Sequence, residues 1–241
     1  MNFGDLITNV KNATFEDGVH RNDAFIKLAI NEGYKLVAVT TLFDERRTTI
    51  NIEGSRNYNP LPFDSTAECF TPLYIANSHT GSRINPVKLT DFEFYSSAWE
   101  GMVDSSGNSL YYVLLSPYHI NMTSLVLCPI QNIGKTQLTM IGAFIPIAMS
   151  ASTDIPRFDE QFHDVLFNYA MFYVLLSEPG MSVRAFDYYK DFISRTNALI
   201  TSIKSRFPSG RDVEPWPVEL SREEITEKDQ KQQQENQNEG K

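Results

Sequence analysis

Asp159, Glu160, His163 and Asp164 place three carboxylates and an imidazole within one short stretch of chain. An imidazole flanked by carboxylates is the raw material for metal ligation or for general acid–base work. On a helix Asp159 and His163, four apart, share a face, with Glu160 beside them. Two considerations weigh against chemistry. Asp159 and Glu160 fall in what reads as the first turn of a helix, where carboxylates stabilise the helix dipole. No second ligand set and no nucleophile pairs with His163. The expectation is therefore a structural histidine and no enzyme, cofactor or metal. The catalytic alternative is a metal-dependent hydrolase centred on His163.

Other chemical motifs are weaker. Gly134-Lys135-Thr136 has the ending of a phosphate-binding loop, but the glycine required five residues earlier is replaced by Pro129. His20, His79 and His119 are scattered through loops or turns. Nucleophile-elbow, zincin and dinucleotide-binding patterns are absent. Cys69 and Cys128, the two cysteines, form neither a disulfide framework nor a zinc knuckle and read as small buried or half-buried apolar residues.

Composition narrows the partners. The 241-residue chain has a formal net charge of −9, and no Lys/Arg run exceeds Arg46-Arg47. A protein that grips DNA through its phosphates shows a basic stripe. An acidic wall instead repels phosphate and suits DNA passing by. The N-terminal residues carry neither a basic nor an apolar leader region, and no apolar run approaches membrane-spanning length. The expectation is a chain made in a reducing cytosol, not exported as a free chain and without a membrane role.

The elements follow from periodicity. Phe3, Leu6, Ile7 and Val10 share one helical face, and Asn12 to Gly18 reads as a polar break. Asn22 or Asp23 caps a second helix with a wide apolar face from Phe25 to Ala38, fading after Phe43. Strand patterns follow at Arg47 to Glu53, at Ala67 to Ala76 with an interruption at Pro72, and at Leu110 to Leu115, Ser124 to Leu127 and Thr136 to Phe144. Pro60-Leu61-Pro62 suits a sheet edge, His79 to Ser82 a hairpin loop, Thr90 to Tyr95 a short helix and Asp104 to Asn108 a turn. The last three strands predict an antiparallel meander in a small sandwich or barrel.

After Pro156 the period changes from two to that of a helix. Phe158, Phe162, Val165, Leu166, Tyr169, Phe172, Tyr173 and Leu176 form one stripe, which Glu178-Pro179-Gly180 ends. Ser182 caps a second stripe, Phe186, Tyr189, Ile193, Thr196, Ile200, Ile203 and Phe207, at near-heptad spacing. The class is α+β. A helical bundle from N- and C-terminal helices (1–46 and 151–207) carries an inserted antiparallel β domain (47–150), and 208–241 is an extended polar tail. In that tail Trp216 stands between Pro215 and Pro217 among polar residues, a setting common for docking anchors.

Several stretches carry a family pattern. They include the helix Phe3 to Val10, Ala29-Ile30-Asn31-Glu32-Gly33 in the second helix, Thr48 to Asp64 with its Gly54 to Tyr58 turn and Leu61-Pro62 exit, and Leu125 to Pro129. The most specific is Ile155-Pro156-x-Phe158-x-x-x-Phe162-His163-Asp164-x-Leu166-x-x-Tyr169-Ala170, followed by Ala185-Phe186-x-x-Tyr189-x-x-Phe192. In this order, over about residues 3 to 207, the chain resembles the head-to-tail adaptor (connector, neck or collar) proteins of tailed double-stranded DNA bacteriophages, especially short-tailed ones. It departs at Asn77 to Pro86, an insertion, and at Asn59-Pro60. The resemblance implies a homo-oligomeric, usually twelvefold ring beneath the portal that joins head to tail and lets DNA pass without sequence-specific binding. Portal and tail or nozzle proteins are the implied partners, with Lys204, Arg206 and Trp216 as contacts. Another tail or baseplate subunit is the structural alternative.

Overall fold

A computed structural model describes residues 1–16, 19, 21–53, 59–60, 67–87, 111–115, 124–128 and 135–206. The expected short helix at Thr90 to Tyr95, the turns at Gly54 to Tyr58 and Asp104 to Asn108, and the chain from Phe207 onward with Trp216 lie outside these residues.

The first helix, α1 (Phe3–Glu16), opens with a reciprocal cap. The Asn2 side chain accepts from the Asp5 amide at 2.8 Å, and the Asp5 carboxylate accepts from the Asn2 amide at 3.1 Å. The helix runs through the polar break expected at Asn12, because polarity there marks the solvent face and not an end. Thr14 stays buried by donating its hydroxyl to the Val10 carbonyl at 2.8 Å. Helix α2 (Asp23–Thr41) is capped by Asn22, whose side chain accepts from the Phe25 amide. It ends at Leu42 in the left-handed region with φ 56°. A leucine there costs about 1–3 kcal/mol. Its buried packing with Leu73 and Ala143 offsets that strain.

Seven strands are described: β1 (Glu45–Glu53), β2 (Asn59–Pro60), β3 (Ala67–Asn77), β4 (Arg83–Pro86), β5 (Tyr111–Leu115), β6 (Ser124–Cys128) and β7 (Lys135–Pro146). They form one sheet in the order β1-β7-β3-β4-β5-β6-β2. Every ladder is antiparallel except the short β4–β5 pair. The meander expected from the last three strands breaks at its final step, since β7 leaves β6 and lies between β1 and β3. The twelve-residue β7 is long enough to carry full ladders on both sides, and such long-range pairing is not written in sequential neighbours.

Pro72 does not interrupt β3. Register shifts flank it, between Cys69 and Thr71 and between Pro72 and Tyr74, so the missing amide falls in an irregular stretch. Gly81, at φ 72°, makes the β3–β4 turn. Pro60 sits on the edge strand, as expected. The strand β4 joins two halves of the sheet, its first residues pairing with β3 and its last with β5. Both halves supply one core through Ile50, Ile75, Ile84, Tyr112, Leu125, Leu138 and Met140, so the sheet folds around shared apolar side chains. The terminal strands β1 and β2 do not meet, which leaves this described sheet open.

The chain then returns to the helices. The helix expected to begin near Phe158 begins later: a 3₁₀ turn spans Glu160–Phe162, and α3 (Asp164–Leu176) follows. Phe158 is buried outside any helix, with its carbonyl held by His163. Leu176, expected in the buried stripe, is exposed. Helix α4 (Ser182–Arg206) starts at Ser182 itself, and the Met181 carbonyl accepts from the Ala185 amide at 2.9 Å. That bond gives the capping position to Met181 and not to Ser182. The central member is α3, which packs against α1, α2 and α4. Its composition follows from this: Val165, Leu166, Ala170, Met171, Val174 and Leu175 are buried around most of its circumference.

Candidate functional site

His163 lies where α3 begins and is 2 % exposed. Its Nε2 is 2.9 Å from the Phe158 carbonyl, and its Nδ1 is 3.0 Å from the Met1 carbonyl and 3.3 Å from the Met1 amino nitrogen. The Phe158 ring meets the imidazole edge to face, with centroids 5.3 Å apart. Both nitrogens are thus committed to the backbone, and no lone pair is offered to a metal or substrate.

The neighbouring acids do not converge on the imidazole. Glu160 accepts from the Met1 amino group at 2.8 Å, and that bond and charge hold its carboxyl below the usual range. Asp164 pairs with Arg195 at 3.1 Å. Asp159 precedes the 3₁₀ turn without a side-chain cap bond. The helical geometry that would have stacked Asp159 on His163 is absent, because the α-helix starts after both. A hydrolase centred on His163 is therefore overturned by the geometry, and the histidine fastens the 158–163 segment to the start of the chain. Among the described residues no cluster of three or more His, Cys, Asp or Glu could hold a metal ion.

The remaining candidates are also structural. Lys135 and Thr136 sit in the β1–β7 ladder opposite Glu53 and Ile52, not at the start of a helix where phosphate is cradled. Cys69 is buried, and desolvation, with the Glu68 charge adding to it, pushes its thiol up to about 12. An added Cβ on Gly142 would come within 2.9 Å of the Cys69 sulfur, so the sheet is tightly closed there. Cys128 ends β6, opposite Tyr111. His79 is exposed in the β3–β4 turn, its amide donating to the Asn77 side chain; His20 and His119 lie outside the described residues.

A joint between the helices and the sheet gave no motif signal. The Asp44 carboxylate, 9 % exposed, accepts from Arg46 Nε at 3.0 Å and Nη2 at 2.8 Å, and from Arg157 Nη1 at 3.4 Å. The Asp44 carbonyl accepts from the Phe144 amide, and the Arg157 amide donates to the Tyr34 hydroxyl at 3.0 Å. Burial, with Asp44 nearby, raises the Tyr34 phenol above its ordinary range, which keeps it neutral. One carboxylate thus links the α2–β1 crossing to the returning chain. The adjacency of Asp44 and Arg46 was readable; Arg157, far along the chain, was not.

Of the residues expected to contact partners, Lys204 is exposed on the last turn of α4 and Arg206 is its last residue. A second surface went unread: Tyr169, Phe172, Tyr173 and Tyr189 are half-buried between α2 and α4, with α3 as the floor. The sequence stripes assign all four to the core, because periodicity reports a face and not its depth.

These side chains hold elements of the fold together. Residues 1–213 match the family described as SU10 adaptor protein, and the chain belongs to that family. It is a phage adaptor: a structural component of the virion with a head–tail role, associated with portal and tail components, and not an enzyme. No curated protein matches the chain. No described helix is long and apolar enough to cross a membrane.

Proposed function

We propose that this adaptor forms a ring, twelvefold by analogy with head-to-tail adaptors, beneath the portal of a short-tailed phage. The ring joins the DNA-filled head to the tail or nozzle and lines the genome exit channel. The family match over residues 1–213 carries this reading. Two features support it. The net charge of −9 suits a wall past which DNA slides without being held. Large apolar side chains are exposed on separate elements, Leu28 and Leu36 on α2, Ile147 and Ile155 after β7 and Val183 on α4, and head-to-tail rings need two different complementary patches on each subunit.

The proposed division of labour is by segment. Residues 1–46 and 151–207 build the ring wall, 47–150 project toward the tail, and 208–241 reach beyond the ring. Lys204 and Arg206 face the portal, and Trp216 anchors the arm. The test is a virion reconstruction combined with cross-linking mass spectrometry. Ring density fitted by this chain, with cross-links to the portal, is expected. Density elsewhere in the tail or baseplate would replace the reading with the other structural one.

A further inference from the structure

The aromatic row between α2 and α4 has the chemistry of a docking site. Tyr169, Phe172, Tyr173 and Tyr189 are half-buried and in mutual ring contact, with Phe172 and Tyr189 centroids 4.7 Å apart. None of the three hydroxyls hydrogen-bonds to a described residue. An apolar floor with hydroxyls unbonded among the described residues suits an extended proline-flanked segment, whose rings stack on aromatics while its carbonyls accept from phenols.

The chain supplies such a segment. Val213-Glu214-Pro215-Trp216-Pro217-Val218 has prolines on both sides of a tryptophan, and a residue that precedes proline is biased to extended backbone. Charges match as well. Helix α4 carries Arg184, Lys190, Arg195, Lys204 and Arg206 against Asp187 and Asp191. Residues 207–224 carry Asp212, Glu214, Glu219, Glu223 and Glu224 against Arg211 and Arg222.

Reach decides whose arm it is. Tyr189 lies 17 helical residues before Arg206, about 26 Å along α4. Trp216 lies ten residues after Arg206, a span of up to about 33 Å when extended. We propose that the arm folds back along α4 of its own chain and seats Trp216 on the Tyr169–Phe172–Tyr173–Tyr189 row. This rests on the reading of Trp216 as an anchor, and places its receptor on the same chain where the family resemblance implies the portal.

The test uses the full chain with Trp99→Phe, which leaves Trp216 as the sole tryptophan. Trp216 emission shifted to the blue of free tryptophan and shielded from iodide is expected. It should move toward free behaviour in Tyr189→Ala, and in Lys190→Glu, a change at an exposed position that leaves the fold intact. Free-like emission in the parent, or emission indifferent to both substitutions, overturns the proposal. Emission that becomes free-like on hundredfold dilution assigns the arm to a second copy, and a blue shift only when portal protein is added assigns it to the portal. Either overturns the same-chain assignment. Ring formation, read separately in the virion, is untouched by these outcomes, so the two failures can be told apart.

Discussion

The helical and strand regions bury their apolar residues by different routes. In the helices one member, α3, is enclosed by three others, and the core extends from Phe3 to Ile203 through all four. Among the described strands none is enclosed in that way. The sheet's core comes from one face of β1, β3 and β7 meeting residues of β4, β5 and β6. The helical core depends on a single element, whereas the sheet core depends on pairings between segments far apart in the chain. The Asp44–Arg46–Arg157 joint connects the two.

The sharpest test of that contrast is a pair of truncations at fully buried leucines, Leu166→Ala in α3 and Leu138→Ala in β7. Each should cost about 2–5 kcal/mol. Hydrogen exchange should rise across all four helices in the first and mainly in the strands in the second; a uniform rise in both would show one cooperative unit and dissolve the contrast.

His163→Ala should lower stability by about 2–4 kcal/mol, from a cavity and from the loss of the bonds that the imidazole makes to the Phe158 carbonyl and to Met1. Virion assembly at permissive temperature should survive it. Normal stability with a lost enzymatic activity would contradict the fastening role. Asp44→Asn acts on the joint and should cost about 1.5–3 kcal/mol, since charged hydrogen bonds are lost from a nearly buried site. Limited proteolysis near residue 44 and residue 157 should accelerate, and unchanged cleavage would deny Asp44 that role.

Gly33→Ala probes how tightly α2 sits on α3. The added methyl would fall 2.7 Å from Tyr169 Cδ1 and 3.1 Å from its Cβ, too near the ring's root for an easy escape. A loss of about 1–3 kcal/mol is expected; a gain, as at an open helical glycine, would mean that the helices separate freely.

The smallest effect concerns acid. Glu160 has a folded-state pKa held below its usual value, so its contribution is present above the unfolded pKa and fades as pH falls through the folded one. Stability measured downward from pH 5 should therefore decline slightly less in Glu160→Gln than in the parent. Being exposed, this pair is screened by solvent.

Much of the helical region could be read directly. Phe3, Leu6, Val10, Ile26, Ile30, Val165 and Leu166 announced their faces because a helix satisfies its backbone locally and only the spacing of side chains matters. Misplaced ends trace to tertiary bonds: Phe158 was assigned to a helix that His163 and Tyr34 instead prevent, by holding the Phe158 carbonyl and the Arg157 amide. Strand existence was legible from β-branched alternation, yet β7's neighbours were not, since a strand's backbone partners lie outside its own segment. The candidate site followed the same division. His163 was visible as a residue worth asking about, and its occupation by two carbonyls was not.

By itself the sequence determined the α+β class, the helix faces, the cap at Asn22, a helix end ahead of Glu178-Pro179-Gly180, and an order of motifs that marks an adaptor. These depend on contacts within a few residues or on patterns carried along the chain. Only the tertiary structure decided that β7 sits between β1 and β3, that α3 is the enclosed helix, that Asp44 meets Arg157 and that four aromatics form a half-open row. Each of these joins residues separated by long stretches of chain, where the energy of a contact depends on the whole packing and not on local spacing.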